Sequence, residues 1–267
     1  MAFKGLGDEM NANNAQQLIR LRDGLSLRRL GDGKTENVPN LIMFPFVGGY
    51  SLSFAPLAKA LNGCFRCWAV DPPGHGWTKG ELFTDFNQLL RLYYEQLGSV
   101  FVGRYFLFGH SLGGLFAYQL GKWLERDGNP PAAVFVSASP VPHRISEYQY
   151  LRNKNDLEIM EVLAQYGGIA ETLMQNTEFL RHAAKPVQAD VKVFLSTEIK
   201  RQPVLMSPLI VLFSKGDAFI KDDEFFEWDI YGQNVSYEEV SGNHLFIQSE
   251  YMAVADTILK YRTSSLH

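Results

Sequence analysis

The stretch FLFGHSLGG, residues 106–114, places a serine between two glycines directly after an aromatic run. The residues before it are typical of a short buried strand, and apolar residues recur at helical spacing after it. A serine at a sharp turn from strand to helix adopts a strained backbone, and the residues two before and two after it must be small because the facing chain is close. Gly109 and Gly113 satisfy that requirement. The pattern predicts Ser111 as a nucleophile; the alternative is a glycine-rich turn with an incidental serine.

The rest of the chain alternates short β-branched or aromatic runs with longer segments of helical pattern. This alternation indicates a mostly parallel sheet with crossover helices. Several runs lead directly into turns that contain glycine or proline, and we expect those turns to share the edge of the sheet where ligands bind. The candidate strands are Leu41 to Phe44, Cys67 to Val70, Tyr105 to Phe108, Ala133 to Val136, Leu209 to Phe213 and Val235 to Val240, with an antiparallel strand around Leu25 to Leu30.

Two segments depart from this alternation. Residues 1–38 are polar and rich in Asn, Gln and charge, and we expect them to form an N-terminal extension. Residues 140–205 separate two candidate strands by far more than an ordinary connection and carry helical patterns, which predicts an inserted helical lid. The core then comprises residues 39–139 and 206–267. Apolar and aromatic residues of the insertion are candidate pocket walls, although helix packing is the alternative role for each: Tyr148, Tyr150, Leu151, Met160 and Phe194.

A serine nucleophile needs a base, which is usually a histidine oriented by a carboxylate. Of the six histidines, His244 lies in SGNHLF, a glycine-containing loop that follows a strand pattern near the end of the sequence. The chain order serine, acid, histidine places the base there. The sequence therefore predicts His244 as the base; the alternative is an ordinary loop histidine.

The acid should follow the strand that ends at Phe213. In FSKGDAFI, Asp217 comes shortly after that strand, behind a glycine that permits a tight turn. Asp222 and Asp223 are rival candidates, but they begin a charged stretch that is typical of an exposed helix start, where acids interact favourably with the helix dipole. We therefore predict Asp217 as the acid.

Acyl transfer also needs two backbone N–H groups that stabilise a developing oxyanion. The residue after the nucleophile, Leu112, supplies one such group. The loop PFVGG at 45–49 is the candidate for the second, with the Val47 N–H as its donor, because its two glycines allow the backbone to approach a ligand. The alternative for this loop is an ordinary glycine-rich turn.

Composition narrows the function classes. The chain of 267 residues is 46% hydrophobic with a net charge of −4, so it carries no overall basic field for nucleic acid or an anionic membrane. Its N-terminus lacks a charged start followed by an apolar stretch, and no apolar run reaches about 18 residues, so we expect a cytoplasmic protein. The spacing of Cys64 and Cys67 is compatible with redox chemistry or half a zinc site, but a second pair of ligands is lacking and the stretch is apolar, so we expect strand packing and no metal site.

Together these residues resemble the α/β-hydrolase fold and, within it, the type II thioesterases of polyketide and nonribosomal peptide synthetases. The resemblance extends from Leu41 to Lys260. FPFVGG is similar to the family's Pro-aromatic-Ala-Gly-Gly run, and GHSLGG is similar to its serine turn. VFVSASPVPHR resembles the strand that precedes the family's lid, and residues 166–198, from YGG to STE, resemble the lid itself. Two motifs depart from the family pattern: DPPGHG has His75 where many members have arginine, and SGNHLF lacks an acidic residue beside the histidine.

The resemblance implies a mostly parallel central sheet with helices on both faces and a helical lid. It also implies hydrolysis of acyl thioesters by Ser111, His244 and Asp217, with Val47 and Leu112 as oxyanion donors. The partner is then an acyl carrier protein or peptidyl carrier protein bearing phosphopantetheine, and the chain acts as a monomer that needs no cofactor. A general carboxylesterase or lipase and a ligand-binding hydrolase relative without turnover are the alternatives.

Overall fold

The computed structural model of the protein describes residues 18–31, 37–167, 174–221 and 224–264. Most of the N-terminal extension predicted for residues 1–38 lies outside these ranges, as do the rival acids Asp222 and Asp223. The strands within them are β1 (Leu18–Arg20), β2 (Ser26–Leu30), β3 (Asn40–Phe44), β4 (Arg66–Asp71), β5 (Tyr105–His110), β6 (Val134–Ser137), β7 (Leu209–Phe213) and β8 (Val235–Glu239).

These strands form one sheet in the order β1-β2-β4-β3-β5-β6-β7-β8. Strands β3 to β8 pair in parallel with their neighbours, whereas β2 pairs antiparallel with β4 and β1 antiparallel with β2. The mostly parallel sheet and its antiparallel strand near Leu25 to Leu30 are confirmed. Strand β1 was not predicted, because three residues are too few to show a period of two.

Helices cover both faces of the sheet because side chains alternate along each buried strand. In β5, Leu107 belongs to the core on one face, while Phe106 and Phe108 belong to the core on the other. The helices are α1 (Ala55–Ala60), α2 (Phe86–Gln96), α3 (Leu112–Arg126), α4 (Asp156–Gln165), α5 (Thr177–Leu195), α6 (Phe246–Ser249) and α7 (Tyr251–Ser264). Helices α2 and α3 pack on the Leu107 face, and α1, α6 and α7 pack on the Phe106 face.

The connection between β6 and β7 holds α4 and α5, preceded by the 3₁₀ segment Pro142–Asn153. Helix α4 contains the helical pattern that the sequence shows around Met160, and α4 and α5 pack on each other. Both rest on the core that lies on the α2 and α3 side of the sheet. Among the described residues, no helix combines the length and the hydropathy that a membrane crossing requires.

Candidate active site

Ser111 lies at the junction of β5 and α3 in a strained conformation. Its φ is 53° and its ψ is −120°, a region that residues with a side chain rarely adopt. The flanking glycines are sterically required: a Cβ on Gly109 would lie 1.9 Å from the carbonyl oxygen of Gly113, and one on Gly113 would lie 2.0 Å from that of Phe44. The chain thus turns sharply enough to place the serine at the carboxyl edge of the sheet.

Three polar side chains form a continuous hydrogen-bonded series at this edge. His244 Nε2 is 3.0 Å from Ser111 Oγ, and His244 Nδ1 is 2.8 Å from Asp217 Oδ2. All three residues are buried, at 5%, 8% and 3% exposure for Ser111, His244 and Asp217. Because a carboxylate only accepts, Nδ1–H donates to Asp217, and in the neutral ring Nε2 is then free to accept the serine proton.

Backbone donors fix the carboxylate of Asp217. Its second oxygen, Oδ1, accepts from the N–H groups of Phe219 at 2.9 Å and Ile220 at 3.2 Å. These bonds leave Oδ2 for the imidazole and set the angle at which the carboxylate faces the ring. The structure therefore brings together Ser111, Asp217 and His244, the three residues singled out from the sequence.

The loop of the acid and the loop of the base are packed directly against each other. Ser214 Oγ donates to the carbonyl oxygen of Gly242 at 2.6 Å. A Cβ on Gly216 would lie 2.4 Å from that same carbonyl oxygen. The glycine before Asp217 lies in the tight turn that the sequence predicts, since the Asp217 N–H donates to the Ser214 carbonyl oxygen at 3.1 Å, and it also permits this close approach between the two loops.

His110, the residue before the serine, makes a hydrogen bond to the backbone of the loop that carries His244. Its Nε2 is 2.8 Å from the carbonyl oxygen of His244, and its Nδ1 is 2.9 Å from Ser137 Oγ. Since a carbonyl only accepts, Nε2–H donates and Nδ1 accepts from the serine hydroxyl. Burial, and then the neighbouring His244, lower the pKa of His110 to about 3, so this ring stays neutral.

The two residues predicted to supply oxyanion donors both lie near Ser111 in the fold or in the chain. Val47 lines the same cleft as Ser111 and His244. Leu112 is the first residue of α3, so its N–H has no acceptor within the helix. Within the described ranges, neither N–H donates to a protein acceptor, and both are free to donate to a bound ligand.

Sequence reasoning also missed the hydrogen bonds that Ser139 and Asp190 make at the site. Ser139 Oγ donates to the carbonyl oxygen of Ser111 at 2.7 Å, and a Cβ on Gly114 would lie 1.8 Å from that Oγ, so the second glycine of SLGG makes room for this bond. Asp190 on α5 accepts from the Gly48 N–H at 2.8 Å and from the ring of His75 at 2.9 Å. Residues so far apart along the chain leave no local pattern from which this contact follows.

The cleft above Ser111 is lined almost entirely by apolar side chains. Of the residues proposed as pocket walls, Leu151 and Phe194 line it, whereas Tyr148 and Met160 are buried in the core beside it and Tyr150 is exposed. The lining also includes side chains from α4, α5 and the loops around the reactive residues: Phe46, Val47, Ile159, Val162, Leu163, Tyr166, Val191, Phe219 and Leu245.

The two cysteines lie away from this cleft. Cys67 is buried in β4, where burial, followed by the proximity of Cys64, raises the pKa of its thiol to about 12. Both cysteines are free thiols, and Cys67 packs with the core on the α1 side of the sheet. The predicted role in strand packing is confirmed for Cys67.

Comparison with known proteins gives matches over most of the chain. The family model of the thioesterase domain matches residues 39–261. The medium-chain S-acyl fatty acid synthase thioesterase of Rattus norvegicus is 28% identical over 215 residues, which cover 78% of this chain and 81% of the rat protein.

Solved structures show the same fold. ClbQ from the colibactin NRPS/PKS pathway superposes with a TM-score of 0.77 at 21% identity, covering 86% of this chain and 98% of that one. The type II thioesterase BorB from the borrelidin biosynthetic cluster gives a TM-score of 0.72 at 23% identity, covering 88% of this chain and 97% of BorB. The predicted α/β-hydrolase fold is confirmed.

Proposed function

The chain belongs to the thioesterase domain family, and we propose that it hydrolyses acyl groups bound as thioesters to the phosphopantetheine arm of an acyl carrier protein or peptidyl carrier protein. Its role is then to release stalled or aberrant acyl groups from a polyketide or nonribosomal peptide synthase. The observation that carries this proposal is the series from Ser111 through His244 to Asp217 at the base of an apolar cleft.

Acylation begins with proton transfer from Ser111 Oγ to His244 Nε2, which are 3.0 Å apart. As the proton leaves, Oγ forms a bond to the thioester carbonyl carbon, and the carbonyl oxygen becomes an oxyanion. The oxyanion then re-forms the carbonyl as the carbon–sulfur bond breaks, and the imidazolium gives its proton to the departing phosphopantetheine thiolate. The acyl group is left as an ester on Ser111.

Deacylation repeats these steps with water as the nucleophile. His244 takes a proton from water while the water oxygen bonds to the acyl carbon, and it then protonates Ser111 Oγ as the ester bond breaks. The products are a free carboxylic acid and the resting enzyme. Asp217 keeps Nδ1 protonated throughout and stabilises the imidazolium that forms twice in the cycle.

The Val47 and Leu112 N–H groups stabilise the oxyanion in both halves of the cycle. These donors are fixed in place before the reaction begins. Donors that need no reorganisation lower the activation barrier most. Removal of one such donor in a serine hydrolase costs about 10²–10³ in kcat. No bound cofactor takes part, since the phosphopantetheine belongs to the partner.

The cleft favours an apolar acyl chain. Val191 and Phe194 from α5 and Ile159 from α4 form walls against which an alkyl chain loses contact with water. Helices α4 and α5 act in this proposal as the lid over the site, which admits a long, thin arm while it limits the access of bulk water.

The experiment that tests this function compares kcat/KM for one acyl group presented in two ways: loaded on a carrier protein as a thioester, and as a matched oxygen ester. The proposal predicts clear preference for the carrier thioester. A preference for the oxygen ester would instead favour a carboxylesterase, and absence of turnover on both would favour a ligand-binding role.

A further inference from the structure

One carboxylate joins helix α5 to the loop that carries Val47. Asp190 Oδ2 accepts from the backbone N–H of Gly48 at 2.8 Å, across 142 positions of the sequence. Asp190 is only 5% exposed, in a core where an unpaired carboxylate would be strongly unfavourable. This buried hydrogen bond is therefore a specific structural contact between helix α5 and the loop that carries Val47.

The second donor to the same oxygen is His75, from the DPPGHG turn after β4. Its Nε2 is 2.9 Å from Asp190 Oδ2, and its Nδ1 is 3.0 Å from the carbonyl oxygen of Pro73. Both of these oxygens are acceptors, so both ring nitrogens carry a proton and the ring is cationic. Burial by itself lowers the pKa of His75, but Asp190, together with the Pro73 carbonyl and Asp71, raises it above its ordinary value.

The loop itself is a tight turn. The Gly49 N–H donates to the carbonyl oxygen of Phe46 at 2.8 Å, so Val47 and Gly48 occupy the two central positions. Gly48 has a φ of 73°, which the third residue of a type II turn requires. The N–H that Asp190 binds belongs to the peptide between Val47 and Gly48, at the centre of this turn. The Val47 N–H belongs to the preceding peptide, so Asp190 supports it through the adjoining backbone.

One face of α5 covers this turn. A Cβ on Gly48 would lie 2.7 Å from Val187 Cγ2, three residues before Asp190, and Val191 and Phe194 on the same face line the cleft. These spacings of three, four and seven residues place all four side chains on one side of the helix. The same helix surface therefore forms both the wall of the cleft and the support of the turn.

We propose that Asp190 and His75 are positioning residues that hold the turn 46–49 in the conformation in which the Val47 N–H faces the oxyanion. This inference rests on the proposed function, in which that N–H is a donor. Neither residue touches the acyl group. They act by anchoring the Gly48 N–H, which fixes the backbone directly after Val47 and so holds the turn, with the Val47 N–H at its start, in place before the oxyanion forms.

The test compares Asp190→Ala and Asp190→Asn with the matched control Glu125→Gln. Glu125, near the end of α3 and remote from Ser111, is also a carboxylate that accepts from backbone N–H groups, those of Met206 and Ser207. Each variant is assayed for thermal unfolding, for kcat and KM on an acyl-carrier thioester, and for the rate of labelling by a fluorophosphonate, whose phosphoryl oxygen occupies the oxyanion position.

We expect Asp190→Ala to lower kcat and the labelling rate by about ten- to a hundredfold with little change in KM, because an interaction used in the transition state is lost. Asp190→Asn should lower kcat and the labelling rate only several-fold, because its amide oxygen still accepts a hydrogen bond while the negative charge is gone. Glu125→Gln should retain wild-type kcat and labelling. If Asp190→Ala does not fold, Asp190→Asn, which has the same shape, tests the inference by the same measurements of kcat, KM and labelling rate.

A double variant provides the second readout. If the two residues act as a unit, His75→Ala combined with Asp190→Ala should lose no more activity than Asp190→Ala alone. Losses that multiply, or Asp190 variants that change unfolding alone while kcat and labelling stay at the wild-type level, would overturn the inference. Because fluorophosphonate labelling needs no carrier protein, it reports on the turn even if the wild type proves inactive on carrier thioesters, and so separates failure of this inference from failure of the proposed function.

Discussion

The Nε2 of His110 donates a hydrogen bond to the carbonyl oxygen of His244, 134 positions further along the chain, at 2.8 Å. His110 directly precedes Ser111, so the turn that presents the nucleophile also holds the backbone of the proposed base. The position of His244 relative to Ser111 is thus fixed by a hydrogen bond to its main chain as well as by the bond that its ring Nδ1–H donates to Asp217.

We predict that His110→Phe lowers kcat while the protein stays folded. Phenylalanine keeps the aromatic contact with Phe246, whose ring centre is 5.1 Å from that of His110, but it leaves the His244 carbonyl without a donor, which costs about 1–3 kcal/mol of stability. Urea unfolding and steady-state kinetics measure the two effects. Ser137→Ala is the control, because it removes only the Nδ1 partner; an equal loss of kcat in both variants would contradict the role given to the His244 carbonyl.

The neutrality of His110 has a consequence for stability in acid. Its pKa of about 3 in the folded protein lies below the ordinary value of about 6.5 that applies in the unfolded chain. Between these values the unfolded state binds a proton that the folded state does not, so stability falls by about 1.4 kcal/mol per pH unit from this group as the pH is lowered. The wild type should therefore lose more stability than His110→Phe between pH values of about 6 and 5, and parallel unfolding curves would rule this out.

Asp217→Asn should reduce kcat by about 10³–10⁴ without loss of the fold. The amide can still accept from the Phe219 and Ile220 N–H groups, but an NH₂ group facing His244 Nδ1 favours the tautomer that cannot accept the serine proton. Steady-state kinetics on a thioester and circular dichroism provide the readout. The control is Glu239→Gln, which removes an exposed carboxylate paired with Lys215 and should change nothing measurable.

Gly113→Ala should disrupt the serine turn. Its Cβ would lie 2.0 Å from the Phe44 carbonyl oxygen, which is backbone and cannot rotate away. We expect a loss of at least about 2–3 kcal/mol and of activity, measured by thermal unfolding and turnover. Gly98→Ala is the matched control, because a Cβ there meets nothing within 4 Å; equal tolerance of both substitutions would contradict this account of the turn.

The sequence predicts the parts of this protein that depend on local signals. The buried strands appear as short apolar runs, and the steric demands of the turn around Ser111 appear as Gly109 and Gly113. His244 and Asp217 follow from their order along the chain and from the strands that precede them. Their catalytic roles remain proposals, whereas their proximity is a property of the structure.

The parts that the sequence does not predict depend on contacts between distant segments. Nothing around Asp190 distinguishes it from a solvated acid of an amphipathic helix, and nothing around His75 indicates a buried cation. Their pairing exists only because α5 lies over the carboxyl edge of the sheet. The link from His110 to the His244 carbonyl is missed for the same reason, since a hydrogen bond to a distant backbone atom leaves no residue pattern.

The central claim is that Ser111 takes the acyl group from a carrier-bound thioester. The most direct measurement mixes enzyme with an equimolar acyl-loaded carrier protein, quenches the reaction in acid within the first turnover, and determines intact and peptide masses. We predict a mass increase equal to the acyl group on the peptide that contains Ser111, and no such increase in Ser111→Ala. Release of the acyl group by Ser111→Ala at the wild-type rate, or an adduct on another residue, would contradict the claim.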